Sequence, residues 1–348
     1  PSLRAGGGLY THPAPSATAT KAMTEERLIA MLCDHVPHGE SPRGPGDDAA
    51  VLSSLAPGAT RCITADAYVE GVHFWRHHPP AWLARKLLVA NLADVGAMGA
   101  QAEAFTLTAS LPEDVPEAWW ECFARGLGAG CREAGVELVG GDVTGSPGPV
   151  MLTISAWGQL ADGRALTRTG GQADDLLMVT GVPGLPRLGW DAWRATPGSG
   201  WGGDPPDGPV CPALRAHLCP SPDLDAGPWA LRAGAHAGLD LSDGLARDGQ
   251  RLAVASSLDI ELQLDLLPGP PQGLTLDDQT RLSGGEEHEL LVLVAPAERG
   301  VFEARGFTTI GHASVSENEP RLRCVRGGVE VDLHPTPYEH FPPGGPAS

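Results

Sequence analysis

Asp94 is the only charged side chain between Leu87 and Met98, in a run otherwise apolar or small apart from Asn91. Such a run predicts a helix buried on every side, because no polar stripe is left for solvent. A carboxylate carried into that helix must be neutralised or met by a cation, since an unpaired ion is costly to take out of water. The chain has few ammonium groups to offer. Lys occurs only at Lys21 and Lys86, and the formal net charge is -19 over 348 residues. Asn91 stands one turn earlier on the same face, so a structural hydrogen bond to Asp94 is the competing reading.

Other aspartates also adjoin sequence that should be buried. Asp47 and Asp48 follow Gly46 and lead into Ala49–Leu52, and Asp66 closes the run Cys62–Ala65. Asp142 follows Leu138–Gly141, while Asp240 and Asp243 bracket Leu241 and Ser242. Most of them have an ordinary explanation. Asp243 suits a helix N-cap, Asp66 and Asp142 suit turns at strand ends, and Asp47–Asp48 suits a solvated loop pair. Taken together they suit several divalent cations, and all-oxygen ligands select Mg²⁺ over zinc. Metal ions between the acids and a phosphate would also let so acidic a protein bind an anion.

The charge argues against nucleic acid and anionic membranes as partners, and no apolar run approaches the roughly 20 residues that span a bilayer. Seven cysteines form no CxxC pair and no zinc spacing, which suits a reduced, cytoplasmic protein. Residues 1–22 read as a disordered extension. The folded part is predicted to begin near Met23, with Thr24 as N-cap of a helix reaching Val36. Strands are predicted at Arg61–Thr64, Phe105–Ala109, Val136–Val139 and Val150–Ala156, with helices at Ala81–Met98 and Pro116–Ala134. A composition shift at Leu160–Gly171 divides an N-terminal domain, 23–160, from a C-terminal α/β domain, 161–341. The second half is predicted to hold strands at Leu176–Thr180, Ile260–Leu264 and Leu290–Val294, and helices at Ala226–Ala237 and Asp243–Ser256. The Pro- and Trp-rich stretch 183–209 reads as a long irregular excursion.

Familiar phosphate and catalytic motifs are missing. There is no GxxxxGK[ST], no GxGxxG after a strand, no HExxH, no GxSxG and no EF-hand. Gly126, Gly128 and Gly130 fall in a helical stretch and read as a close packing face. Arg168, between Thr167 and Thr169, is either a phosphate clamp or half of a salt bridge.

In order along the chain, Gly46–Leu52, Thr64-Ala65-Asp66, Gly71–Phe74, Lys86 through Asn91–Asp94 to Ala97–Ala100, Gly140–Asp142, Leu166–Gly170, Asp240–Leu245, Leu282–Leu290 and Tyr338–Phe341 resemble the thiamine-monophosphate kinases. These belong to the aminoimidazole-ribotide synthetase-like superfamily. The resemblance implies a two-domain α/β (α+β) fold, an N-terminal sheet that forms a barrel in a homodimer, and phosphorylation of thiamine monophosphate by ATP. It implies Mg²⁺ ligation by Asp48, Thr64, Asp66, Asp94, Asp142, Asp240 and Asp243. Nucleotide contacts would come from Gly141, Asp142, Arg168 and Ser242, and acceptor contacts from His73 and Glu286. Transfer would be direct and in line, with no covalent intermediate and no catalytic side chain acting as nucleophile or base. The family usually reads Glu-Asp-Tyr-Glu where this chain has Glu286–Glu289, and an aromatic expected on the thiamine ring is here Pro335. Trp190, Trp193, Trp201 and Tyr338 are the candidates to replace it. Alternatives are another ATP-using superfamily member, such as a selenophosphate synthetase or a carbamoyl-dehydrating hydrogenase-maturation protein, and a non-catalytic nucleotide- or cation-binding protein.

Overall fold

The computed structural model describes residues 25–38, 55–196, 198, 200–205 and 210–331. The expectations for residues 1–22, Asp47, Asp48 and the 335–341 tail fall outside them. The first half runs α1 (Glu25–His35), β1 (Thr60–Val69), α2 (Pro80–Ala97), β2 (Gln101–Leu111), α3 (Glu117–Ala134), β3 (Glu137–Gly145) and β4 (Met151–Leu160). Its four strands form one sheet in the order β1-β4-β2-β3, antiparallel except for the β2–β3 pair.

The second half runs β5 (Leu176–Val179), α4 (Leu185–Arg194), α5 (Pro212–Leu218), α6 (Ala226–Arg232), β6 (Ala237–Leu241) and α7 (Leu245–Ser256). It continues with β7 (Leu258–Gln263), α8 (Asp278–Ser283), β8 (Glu289–Val294), α9 (Arg299–Ala304), β9 (Thr308–Val315), β10 (Leu322–Arg326) and β11 (Val329–Glu330). These strands form a seven-stranded sheet, β11-β10-β7-β9-β5-β8-β6. Among the described residues no helix is long and apolar enough to cross a membrane.

Alternation builds the first sheet. Phe105, Leu107, Ala109 and Leu111 of β2 all turn toward the helices and are buried, as period-two patterning requires. The glycines of α3 form the close face that their spacing predicts. A Cβ at Gly126 would lie 2.3 Å from the Cα of Ala81, and one at Gly128 would lie 2.0 Å from the His35 carbonyl oxygen. Helix α2 is buried nearly all round. It packs on α3 and the first sheet on one side and meets α6 and β6 on the other. At the α6 crossing Gly96 and Gly227 bring the backbones together, so that a Cβ on Gly227 would sit 1.9 Å from the Gly96 oxygen. The apolar helix expected around Asp94 is thus the central strut between the two sheets, and it carries Asp94 to β6.

Two expectations change. The predicted Ala226–Ala237 helix stops at Arg232, because Gly234 turns the chain at φ 93° and Ala237 already begins β6. The alanines suit either state, and burial in the sheet decides for strand. The stretch 183–209 is not irregular throughout, since α4 occupies Leu185–Arg194 with a proline in its first turn.

Candidate active site

Strand β1 runs past Thr64 to Val69, so Thr64, Asp66 and Tyr68 alternate onto the face that meets α2. Asp66 lies inside a strand rather than at a turn, and so does Asp142 in β3. The Thr64 hydroxyl donates to Asp94 Oδ2 at 2.7 Å. Asn91 does not bond Asp94; its Oδ1 accepts from the Asp66 amide at 3.0 Å, and its Nδ2 donates to the Leu87 carbonyl at 3.0 Å. Asn91 therefore locks β1 onto α2, and the hydroxyl of Thr64 is the partner of Asp94.

Asp240 is the last residue but one of β6, and its buried Oδ2 has no hydrogen-bond partner among the described residues. Burial pushes its carboxyl well above the ordinary range, and the charges of Asp94 and Asp248 add to the rise against the pull of Arg168. Asp94 is pushed up to about 6, by burial first, against the Thr64 hydrogen bond. Burial and then Asp243 raise Asp66. These carboxylates sense one another across three elements, and each resists ionisation in the absence of a cation.

The segment 240–244 is held from below. Asp248, buried on the apolar face of α7, accepts through Oδ2 from the amides of Ser242 and Asp243 at 3.1 and 2.9 Å. Arg251 bridges Asp248 at 2.7 Å and Asp243 at 2.5 Å. Asp243 is therefore not the N-cap of α7: Gly244 occupies that position, without a side-chain cap. At Gly244, φ is 100° and a Cβ would lie 2.0 Å from the Gly284 oxygen, so only glycine fits. Sequence reasoning missed Asp248, although an acid between Leu245 and Leu252 on one helical face was the available signal.

Two cavities flank the acids. One, of about 280 Å³, is lined by Thr64, Asp94, Asp240 and Arg168. The other, of about 180 Å³, is lined by Asp66, Ser242, Asp243, His73, Glu286 and Trp190, among others. His73 stacks on Tyr68 at 5.2 Å, and its Nδ1 accepts from the Val69 amide at 3.0 Å, which leaves Nε2 to carry the proton of the neutral ring. Glu286 binds Lys86 Nζ at 2.8 Å and His217 Nδ1 at 3.2 Å. Burial would raise its pKa, but the fully buried Lys86 and then His217 outweigh that and hold the carboxyl well below its usual range. Lys86 and His217, neither assigned a role from sequence, thereby fix Glu286. Glu286 and His288 both lie in the left-handed region, at φ 62° and 55°, a strained state for such residues.

Gly141 and Asp142 do not join this group within one chain. Strand order places β3 at the sheet edge opposite β1, and Asp142 pairs through Thr108 and Thr153 to the level of Ala67. That is three strand spacings, about 14 Å. Among the described residues no three Asp, Glu, His or Cys side chains gather closely enough to hold a single ion. The unanswered oxygen of Asp240 and the all-oxygen donor set nevertheless fit Mg²⁺, which takes one or two carboxylates and leaves its other positions to water and phosphate.

Residues 46–160 match the family model described as AIR synthase related protein, N-terminal domain. The chain is 36% identical over 337 residues to the thiamine-monophosphate kinase of Escherichia coli (strain K12), covering 92% of this chain and 99% of that one. The crystal structure of thiamine-monophosphate kinase from Stenotrophomonas maltophilia K279a superposes with a TM-score of 0.71 at 29% identity, over 86% of this chain and 94% of that one. A structure described as AaThiL complexed with AMPPCP and TMP superposes with a TM-score of 0.70 at 25% identity, over 83% and 89%.

Proposed function

The chain belongs to the thiamine-monophosphate kinase family, and we propose that it transfers the γ-phosphoryl group of ATP to thiamine monophosphate, forming thiamine diphosphate and ADP. One observation carries the reading: Asp66, Asp94 and Asp240 stand between two cavities, one with the cationic Arg168 and one with His73 and Glu286. The first suits the nucleotide and the second the acceptor. The similar structure in complex with an ATP analogue and TMP supports both substrates.

Thr64, Asp66, Asp94, Asp240 and Asp243, together with Asp48 and Asp142, would hold Mg²⁺. Bound there, Mg²⁺ supplies charge neutralisation for the phosphates and for the buried carboxylates alike. The guanidinium of Arg168 binds phosphate oxygens, and Ser242 contacts the nucleotide from a loop anchored by Asp248. The acceptor's terminal phosphate oxygen attacks the γ-phosphorus in line, and the bond to the β–γ bridging oxygen breaks toward ADP. The nucleophile is already an anion, so positioning suffices and no strong base is required. Seven unpaired cysteines support a reducing, cytoplasmic setting. The test is ADP release: it should require thiamine monophosphate, Mg²⁺ and ATP together. Tight nucleotide binding with no acceptor-dependent turnover would refute the assignment.

We further propose a homodimer in which the two four-stranded sheets close into a barrel. Among the described residues β1 and β3 are the outer strands of this sheet, and apart from the bridge of His38 to Leu138 their outer edges meet no other strand, which invites pairing. The sheet face away from the helices exposes Ile63 (75%) and Met151 (43%), apolar surface that a second sheet would cover. A two-fold dimer would also explain why Gly141 and Asp142 lie far from the other acids: each site would take them from the partner subunit. Ile63→Asp is accordingly expected to shift the protein to monomer in sedimentation velocity. Mixing inactive D94N with inactive D142N should restore activity, up to about a quarter of wild type, because half the dimers then hold one intact site. No recovery after verified subunit exchange would place Asp142 in its own chain's site.

A further inference from the structure

The acceptor cavity holds two side chains that phosphoryl transfer leaves unused. His288 lines it, is only 8% exposed, and finds no hydrogen-bond partner among the described residues for either ring nitrogen. A buried imidazole with both nitrogens unanswered is unfavourable unless something else supplies the partner. Its position is fixed by the backbone, through the left-handed φ and an amide that donates to the Leu241 carbonyl at 2.8 Å. Burial lowers its pKa to about 4, so the ring is neutral near pH 7 and offers one donor and one acceptor.

Trp190, from α4, lines the same cavity. Its ring packs on Trp75 at 4.4 Å and meets the ring of His217 at 5.2 Å in an edge contact, so the indole is braced from two directions. The i,i+4 pairing of Arg187 with Asp191 at 3.2 Å occupies the neighbouring cation on that helix. With the Tyr68–His73 stack also in the wall, the space offers flat aromatic surfaces and one polar ring, while Asp66 and Asp243 mark the side where phosphates would meet metal.

We propose that Trp190 and His288 hold the two planar rings of the acceptor, Trp190 against the cationic thiazolium and His288 through a hydrogen bond to the aminopyrimidine. The inference rests on the acceptor reading above and goes further by naming the residues that select an aromatic cation over an aliphatic phosphate ester. An indole face is the strongest aromatic partner for a cation.

The experiment measures equilibrium binding of thiamine monophosphate, and steady-state kinetics, for H288F, W190L and W190F. H288F and W190L should each weaken acceptor binding about tenfold, with the KM for ATP within about threefold of wild type. W190F should recover most of the loss, since it restores a π face that Leu lacks. Acceptor binding unchanged in both H288F and W190L, or W190L equal to W190F, overturns the proposal. So does a parallel loss of ATP affinity, which would mark a folding defect. A wild-type protein that binds the acceptor and loses it in these variants, yet forms no ADP, would refute the kinase assignment and leave this inference standing. Failure of the wild type to bind thiamine monophosphate would sink both.

Discussion

Asp94→Asn should reduce kcat by roughly three orders of magnitude or more while the protein still folds. The amide has the shape of the carboxylate, and its oxygen can still accept from Thr64, so the junction of β1 with α2 survives. The negative charge does not survive, and that charge is what would draw Mg²⁺ and its attached phosphates to this wall. Loss of a single preorganised electrostatic partner already costs about 10²–10³ in rate in well-studied sites. A carboxylate that positions metal and both substrates should cost at least as much. Stability should hold or rise, because the substitution removes a charge that burial disfavours. Initial rates of ADP formation, with thermal melts on the same samples, check both halves. Activity within tenfold of wild type would mean that Asp94 serves only to bond Thr64.

How much of this was legible beforehand depends on what kind of interaction fixes each residue. Asp94 stood out because α2 carries no other charged side chain between Leu87 and Met98, and a charge isolated on a buried helix is a local signal. The close face of α3 was legible for the same reason, since helical glycine spacing leaves few other uses. The roles of Asp66 and Asp243 were ambiguous, because a strand end and an N-cap look alike in sequence until the length of β1 and the Gly244 turn are known. Asp248, Lys86 and His217 act through tertiary contacts. Lys86 and Glu286 are far apart in the chain and meet only because α2 crosses between the sheets, so no local pattern could pair them. Only the first residue of β6, Ala237, was read as helix, through alanine's helix propensity, which burial overrides.

The second large effect concerns pH. The stability gap between D94N and wild type should widen from pH 4 to pH 6 in the absence of metal, by on the order of 2–3 kcal/mol, and then level off. Asp94 in the folded protein titrates at about 6 against an ordinary 3.8. Between those values the native state binds more protons than the unfolded chain. Wild-type stability therefore falls as pH rises through that window, at about 1.4 kcal/mol per unit. Asn does not titrate, so its contribution is flat. Buried histidines such as His78, His217 and His288 have lowered pKa values and push the opposite way over an overlapping range, gaining stability as pH rises. Comparing two proteins that share those histidines cancels their effect, which a pH scan of wild type alone would not. Asp240, repelled by the same charge, should ionise more readily in the variant, which costs the variant less stability as pH rises and adds a shallow further widening in the same direction. Chemical denaturation at half-unit pH steps reads the gap directly. Adding Mg²⁺ with a nonhydrolysable ATP analogue should then largely close it above pH 6, since a ligand at about 100 times its Kd stabilises by about 2.7 kcal/mol and only wild type keeps the full acid set. A gap that is flat with pH and indifferent to Mg²⁺ would mean that Asp94 is neither strained by burial nor poised for a cation, and the metal-assisted mechanism would lose its central residue.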